Sequence, residues 1–216
     1  MINTSLKKRI LTSMFLFLLL FLILSFQIML VYSLIILGVF SIIEFISLIK
    51  KIKISQFYLY VANLVFIIYV FSFCTIFLIF SHFIQLKIIL FSLLICCAGS
   101  DIGGFIIGKM FKGPKLTKIS PKKTITGSLG SLIFSSLFLS CSILYFTNNV
   151  NYKIFFVAII TSIACQVGDL FFSFLKRKAK VKDTGNFFPG HGGVLDRLDS
   201  IFLGMPIGFL ALRLFY

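Results

Sequence analysis

Long apolar runs without charges recur along the whole chain and decide what it can fold into. Several reach roughly 18 residues or more, and each spans about 30 Å as a helix, the thickness of the hydrocarbon core of a bilayer. Hydrophobic residues make up 59% of the 216 positions and charged residues only 12%, about half the charged fraction usual in soluble domains. The sequence therefore predicts an all-α, polytopic membrane helical bundle.

Polar breaks divide the apolar sequence into about seven transmembrane helices. The apolar run from Ile10 to Ile49 is too long for one helix and suits two, with a break near Ser25, Phe26 and Gln27. The five later spans are predicted at about 57–81, 87–108, 125–146, 153–175 and 198 to the C-terminus.

The distribution of basic residues predicts how these helices are oriented. With a cytoplasmic N-terminus, 18 of the 21 Lys and Arg residues fall in cytoplasmic segments, as the positive-inside rule requires. The net charge of +15 therefore does not indicate a nucleic-acid partner. We expect a multi-pass protein of the cell inner (plasma) membrane, with its two long polar loops on the cytoplasmic side.

The polar stretch from Ser173 to Ser200 contains half of the six acidic residues, namely Asp183, Asp196 and Asp199. Asp196 and Asp199 are three positions apart at a predicted helix start, so they project from one face. Mg²⁺ usually takes one or two carboxylates together with substrate phosphates. We therefore expect a metal and phosphate site at the membrane surface. Simple capping of the helix by these carboxylates is the alternative, but it leaves the glycines before them unexplained.

Three other carboxylates lie inside apolar runs. Asp101 and Asp169 are flanked by small residues, and a carboxylate near the bilayer centre costs roughly 2.5–3.5 kcal/mol on insertion scales unless it faces a partner or a wet cavity. We interpret both as candidate site residues, with an ion pair to a nearby lysine as the alternative. Glu44 is interpreted as an interfacial or packing residue.

Two basic segments are suited to phosphate. The block from Lys176 to Lys182 lies beside the carboxylates, although it could instead be a positive-inside anchor. The segment 119–124 offers hydroxyls, two lysines and a rigid proline turn. The glycines around His191 leave backbone N–H groups open to an anion, with a loop hydrogen bond as the alternative role for the imidazole.

Taken together, these residues resemble the defining motif of the phosphatidate cytidylyltransferases (CDP-diacylglycerol synthases). Its parts appear in order as Ser173, Lys176-Arg177, Lys182-Asp183, Pro189 to Gly193, and Asp196-Arg197-Leu198-Asp199-Ser200. Two further blocks agree, one beginning at Asp101 and one from Lys118 to Thr124. The chain departs from the pattern at Thr126 and near Ser173, where it has Phe171 and Phe172 in place of the usual Glu.

The resemblance implies that CTP reacts with phosphatidic acid in the lipid bilayer, with Mg²⁺ as cofactor. It also implies N-terminal transmembrane helices over 1–94 and a catalytic transmembrane region over 95–216, within one integral-membrane domain. The implied catalytic residues are Asp183, Asp196, Asp199, Lys182, Arg197 and His191. The implied substrate contacts are Ser120, Lys122, Lys123, Lys176, Arg177, Gly192 and Gly193. The implied metal ligands are Asp169, Asp183, Asp196, Asp199 and Asp101.

A second, monovalent cation and a homodimer are left open by the sequence. The alternative function is that of a CTP-dependent membrane lipid kinase, like dolichol or phytol kinases, whose product would lack cytidine. An ion-coupled transporter using Asp101 and Asp169 is a further alternative, which leaves the segment from Pro189 to Gly193 without a role.

Overall fold

The structure, a computed structural model, describes residues 22–23, 25–117, 120–121, 123–185, 187 and 192–215. Its six long helices are α1 (Gln27–Lys50), α2 (Gln56–His82), α3 (Ile84–Phe111), α4 (Ile125–Thr147), α5 (Lys153–Lys178) and α6 (Leu195–Phe215). All six are long and apolar enough to cross a membrane, which confirms the all-α membrane-helix prediction for this part of the chain. The first predicted span lies almost entirely outside the described residues. The predicted orientation and the division near residue 94 stay predictions.

Most helix limits fall where hydropathy changes along the sequence. The predicted break near residue 26 is confirmed, because Phe26 is extended (φ −124°, ψ 118°) and precedes the first residue of α1. Thr124 begins α4 by accepting a hydrogen bond from the N–H of Gly127 at 3.1 Å, as expected of a threonine at a helix N-cap.

Four predicted limits are wrong by three residues. Two are the ends of α3, which was predicted at 87–108 and runs from Ile84 to Phe111, and the other two lie in the polar stretch. Helix α5 continues to Lys178 instead of ending near residue 175. It closes with left-handed Lys180 (φ 56°) and a hydrogen bond from the N–H of Val181 to the carbonyl of Lys176 at 3.0 Å, the pattern of a Schellman C-cap. Helix α6 begins at Leu195, three residues before the predicted start, so Asp196 lies in its first turn.

The described residues form two compact units. The first unit comprises the residues up to Ser81 together with Leu175–Arg197. Within it, Gln27 at the start of α1 donates to Ser81 near the end of α2 at 2.6 Å. Further along α1, Phe45 stacks on Phe66 with ring centroids 3.9 Å apart. These contacts make α1 and α2 an antiparallel pair.

The second unit comprises His82–Phe174 and the residues from Leu198 onward, and in it α3 packs closely against α4. A side chain at Gly103 would overlap Phe134 of α4, and one at Gly130 would lie 2.6 Å from a side-chain carbon of Ile107. Small residues at these positions let the two backbones approach closely, as is common between membrane helices.

Small residues and hydroxyl groups also join the other helices of the second unit. Ser100 of α3 and Ser162 of α5 share a buried hydrogen bond of 2.8 Å. A Cβ atom on Gly168 would lie 2.6 Å from the backbone oxygen of Asp199, so the backbones of α5 and α6 are in direct contact there. This close packing positions the acidic residues of these helices.

Candidate active site

Lys176 and Asp196 form an ion pair in the first unit. Lys176 lies in the last turn of α5 and Asp196 in the first turn of α6, and the Nζ–Oδ1 distance is 2.7 Å. The two side chains are only 12% and 8% exposed, so the pair is largely withdrawn from solvent. Two blocks of the predicted motif, 20 positions apart in the chain, are therefore joined directly.

Backbone N–H groups bind the other oxygen of the Asp196 carboxylate. Oδ2 accepts hydrogen bonds from the N–H of Thr184 at 2.8 Å and from that of Gly193 at 3.1 Å. The preceding Gly192 has φ +85°, a left-handed conformation that favours glycine. A side chain there would also come within 3.1 Å of the same oxygen. The turn before α6 is thus organised around the Asp196 carboxylate.

Glu44 of α1 belongs to the same set of contacts, and its interpretation as an interfacial or packing residue needs correction. Its Oε2 accepts hydrogen bonds from the Thr184 hydroxyl at 2.8 Å and from the N–H of Leu195 at 2.9 Å. Its Oε1 accepts one from the N–H of Val194 at 3.0 Å. The residue is 7% exposed. Its one sequence signal is a carboxylate within an apolar run, which usually has a specific partner.

The Glu44 contacts also explain why α6 begins earlier than predicted. The first N–H groups of a helix have no partner within the helix, and negative charge near them is stabilising. Glu44, which lies on another helix, supplies both a hydrogen-bond acceptor and a negative charge. It accepts hydrogen bonds from the N–H groups of Val194 and Leu195. Because this cap comes from a residue distant in sequence, no local pattern before Leu195 could indicate it.

In the second unit, Lys123 forms an ion pair with Asp169 of α5. Both side chains are about one quarter exposed, and the Asp169 carboxylate also accepts from the Ser173 hydroxyl at 3.4 Å. For Asp169, the structure therefore contains the lysine ion pair that the sequence left as an alternative. In each of the two ion pairs, a predicted phosphate contact meets a predicted metal ligand.

Two further predicted metal ligands lie near the start of α6 in the second unit. The Ser200 hydroxyl donates to Oδ2 of Asp101 at 2.9 Å, which links α3 to α6. Asp199 is 8% exposed, and its Oδ1 accepts from the N–H of Ser200 at 2.9 Å. Its backbone contacts Gly168, the residue before Asp169. The second unit therefore brings α3, α5 and α6 together around their acidic positions.

The remaining predicted site residues differ in how much the structure says of them. Ser120 lies in the loop before α4, and its N–H donates to the Thr117 hydroxyl at 3.3 Å. Lys122 and His191 lie outside the described residues. The other four predicted site residues belong to the first unit and have solvent-exposed side chains: Arg177, Lys182, Asp183 and Arg197.

The carboxylate and hydroxyl oxygens of the predicted site residues are the kind of ligand that binds a hard divalent cation. Mg²⁺ prefers oxygen ligands and usually takes one or two carboxylates, with substrate phosphates and water completing its shell. Within each unit, no three His, Cys, Asp or Glu side chains of the described residues form a group that could hold a metal ion by themselves. Carboxylate and hydroxyl sets such as Asp101 with Ser200 still fit a site in which the substrate supplies the other ligands.

Comparisons with known proteins point to one enzyme family. A family profile described as "Cytidylyltransferase family" matches residues 6–215. Similar curated proteins are named phosphatidate cytidylyltransferase. They include proteins of Rickettsia typhi (43% identical over 119 residues, 50% of this chain and 51% of the relative), Staphylococcus aureus (45% over 111 residues, 50% and 42%) and Helicobacter pylori (37% over 123 residues, 57% and 46%). The chain spans about half the length of these relatives.

Proposed function

Because this chain belongs to the cytidylyltransferase family, we propose that it transfers the cytidylyl group of CTP to phosphatidic acid, giving CDP-diacylglycerol and pyrophosphate. The observation that carries the proposal is the Lys176–Asp196 ion pair, which joins two blocks of the motif at the ends of two membrane-length helices. Such a scaffold suits a reaction between a soluble nucleotide and a lipid. The name shared by the relatives supports the choice of lipid substrate.

The proposed reaction is an in-line displacement at the α-phosphorus of CTP. An oxygen of the lipid phosphate forms the new bond to this phosphorus, the bond to the β-phosphate oxygen breaks, and pyrophosphate leaves. The attacking phosphate is already an anion at neutral pH, so the reaction needs no strong base. The main barrier is the repulsion between two polyanions, and catalysis therefore rests on positioning and electrostatic stabilisation.

Cationic side chains of the chain would reduce this repulsion. The exposed Arg177, Lys182 and Arg197 lie at the surface of the first unit, where they suit phosphate oxygens. Lys176 and Lys123 each contact a carboxylate, which holds the ammonium group in a defined place. Residues assigned from the motif complete the substrate contacts: Ser120, Lys122, His191, Gly192 and Gly193.

A divalent cation fits the proposed site through its carboxylates. When bound, Mg²⁺ would offset the charge of the phosphate oxygens and of the leaving pyrophosphate. The residues that the motif assigns to it are Asp183 and Asp196 of the first unit and Asp101, Asp169 and Asp199 of the second. We place the site on the cytoplasmic side of the cell inner membrane, because the Lys and Arg distribution favours that orientation and CTP is present there. A homodimer and a second, monovalent cation stay predictions.

Differently labelled CTP tests the proposed function directly. Purified protein in mixed micelles is given phosphatidic acid, Mg²⁺ and CTP carrying ³²P at either the α or the γ position. We expect the α label in the lipid product and the γ label in pyrophosphate. Transfer of the γ label to lipid would identify a lipid kinase instead. Absence of both labels from lipid would refute transfer from CTP to phosphatidic acid.

Two carboxylate variants test the site within the same assay. Asp196→Asn and Asp199→Asn should each abolish transfer while the protein stays inserted and helical, because they remove ligand charge and leave apolar surface intact. Lys53→Met, which changes an exposed charge after α1, is the control and should keep normal turnover. Normal turnover in either Asp variant would contradict its assignment to the site.

A further inference from the structure

Glu44 holds two separate points of the polar stretch with one carboxylate. Its oxygens accept hydrogen bonds from the Thr184 hydroxyl and from the N–H groups of Val194 and Leu195. All four residues are buried. The segment from Thr184 to Val194 is therefore fastened to α1 at both of its ends.

Thr184 connects Glu44 to the ion-paired carboxylate. Its hydroxyl donates to Glu44, and its backbone N–H donates to Asp196. On the other side of the segment, Gly193 donates to Asp196 while the next two N–H groups donate to Glu44. The two carboxylates thus bind adjacent donors of the same backbone. Loss of the Glu44 contacts would therefore make the backbone N–H groups that bind Asp196 less well ordered.

The backbone at Gly185 and Gly193 lies directly against the Glu44 carboxylate. Cβ atoms added at Gly185 or Gly193 would both overlap the Glu44 carboxylate. The two glycines therefore let the chain close directly onto these oxygens. A glutamine at this position would present an amide N–H₂ group toward at least one backbone N–H, since all the backbone partners are donors.

Resting on the proposed function, we propose that Glu44 is a positioning residue for CTP. It makes no contact with the reacting atoms in this role. It keeps Asp196, and through it the ammonium group of Lys176, in one arrangement suited to the triphosphate. A protein whose binding-competent arrangement is only partly populated binds its ligand more weakly in proportion to that population.

The kinetic test compares Glu44→Gln with Thr184→Val and with Ser41→Ala. Ser41 is the matched control, because it is a buried polar residue of α1 whose hydroxyl donates within its own helix, to Leu37. We expect Glu44→Gln to raise the KM for CTP about tenfold and Thr184→Val about threefold, as for the loss of one hydrogen bond to a charged or polar partner. The KM for phosphatidic acid should stay unchanged in all variants, and Ser41→Ala should match the wild type.

A purely structural role of Glu44 would give a different result. Fewer correctly folded molecules would lower the apparent kcat and leave both KM values unchanged. That outcome for Glu44→Gln and Thr184→Val, or a rise in the KM for phosphatidic acid instead of CTP, would overturn the proposal.

Hydrogen exchange supplies a readout that does not need turnover. The amides of Val194 and Leu195 should exchange faster in Glu44→Gln than in the wild type, measured on peptides covering 183–196, and Ser41→Ala should leave them unchanged. Equal exchange in Glu44→Gln and the wild type would overturn the proposal even if the KM for CTP rose in Glu44→Gln. If the wild-type protein transferred no cytidylyl group, the proposed function and the CTP role would both fall, whereas the exchange result would still decide whether Glu44 holds the segment.

Discussion

Removing the ammonium group of Lys176 should destabilise the first unit by a defined amount. In Lys176→Met, the Asp196 carboxylate stays buried and keeps only its two backbone donors. Breaking a buried pair by removing one partner costs about 3–5 kcal/mol. The two remaining hydrogen bonds already stabilise the carboxylate, so we expect a value near the lower end, about 3 kcal/mol.

A double-mutant cycle separates the ion pair from other effects of the substitution. Asp196→Asn alone leaves the Lys176 ammonium group without its carboxylate, whereas Lys176→Met/Asp196→Asn removes both charges together. The double variant should therefore be less destabilised than the sum of the two single variants, with a coupling free energy of about 2 kcal/mol.

The assay for this cycle is reversible unfolding in mixed micelles with increasing SDS, followed by circular dichroism. The control is Lys53→Met, an exposed lysine of the same unit, which should change the free energy of unfolding by less than about 0.5 kcal/mol. A cost below about 1 kcal/mol for Lys176→Met, as for an exposed pair, or additive single variants, would refute the reasoning.

Two other predictions concern the second unit. Gly130→Val should lower the free energy of unfolding by about 1–3 kcal/mol, because its side chain would overlap Ile107. The same SDS titration measures this change, and unfolding equal to the wild type would contradict the close approach of α3 and α4. Ser200→Ala should cost about 1 kcal/mol, because it removes the hydrogen bond to Asp101. In an Asp101→Ala background, which has already lost the acceptor, the same Ser200→Ala change should cost little more, and a full additional loss would show that the hydroxyl acts elsewhere.

The membrane helices could be predicted because their limits coincide with changes in hydropathy. The predicted spans 57–81 and 125–146 correspond to Gln56–His82 and Ile125–Thr147. In hydrocarbon every backbone polar group needs an internal partner, so an apolar run of this length has few alternatives to a helix. Water imposes no such restriction in the polar stretch, where two of the four wrong helix limits lie; the other two are the ends of α3.

The candidate site was predictable in its chemistry but not in its pairing. Sequence reasoning selected Lys123, Asp169, Lys176 and Asp196 as candidates, but it could not say which cation meets which carboxylate, because each ion pair joins residues of different segments. Glu44 was missed for the same reason. Its three partners lie 140 to 151 positions away, and a carboxylate near a helix end has many other uses.

The distance in sequence between Glu44 and Leu195 has a consequence for biogenesis. A ribosome makes α1 long before α6, so during most of synthesis the acid of α1 lacks the two amides that it later binds. Insertion of the last helix is therefore the step that completes the polar turn. A nascent chain arrested before residue 194 would lack the Val194 and Leu195 amides, so of the three hydrogen bonds to the acid only the one from the Thr184 hydroxyl could form.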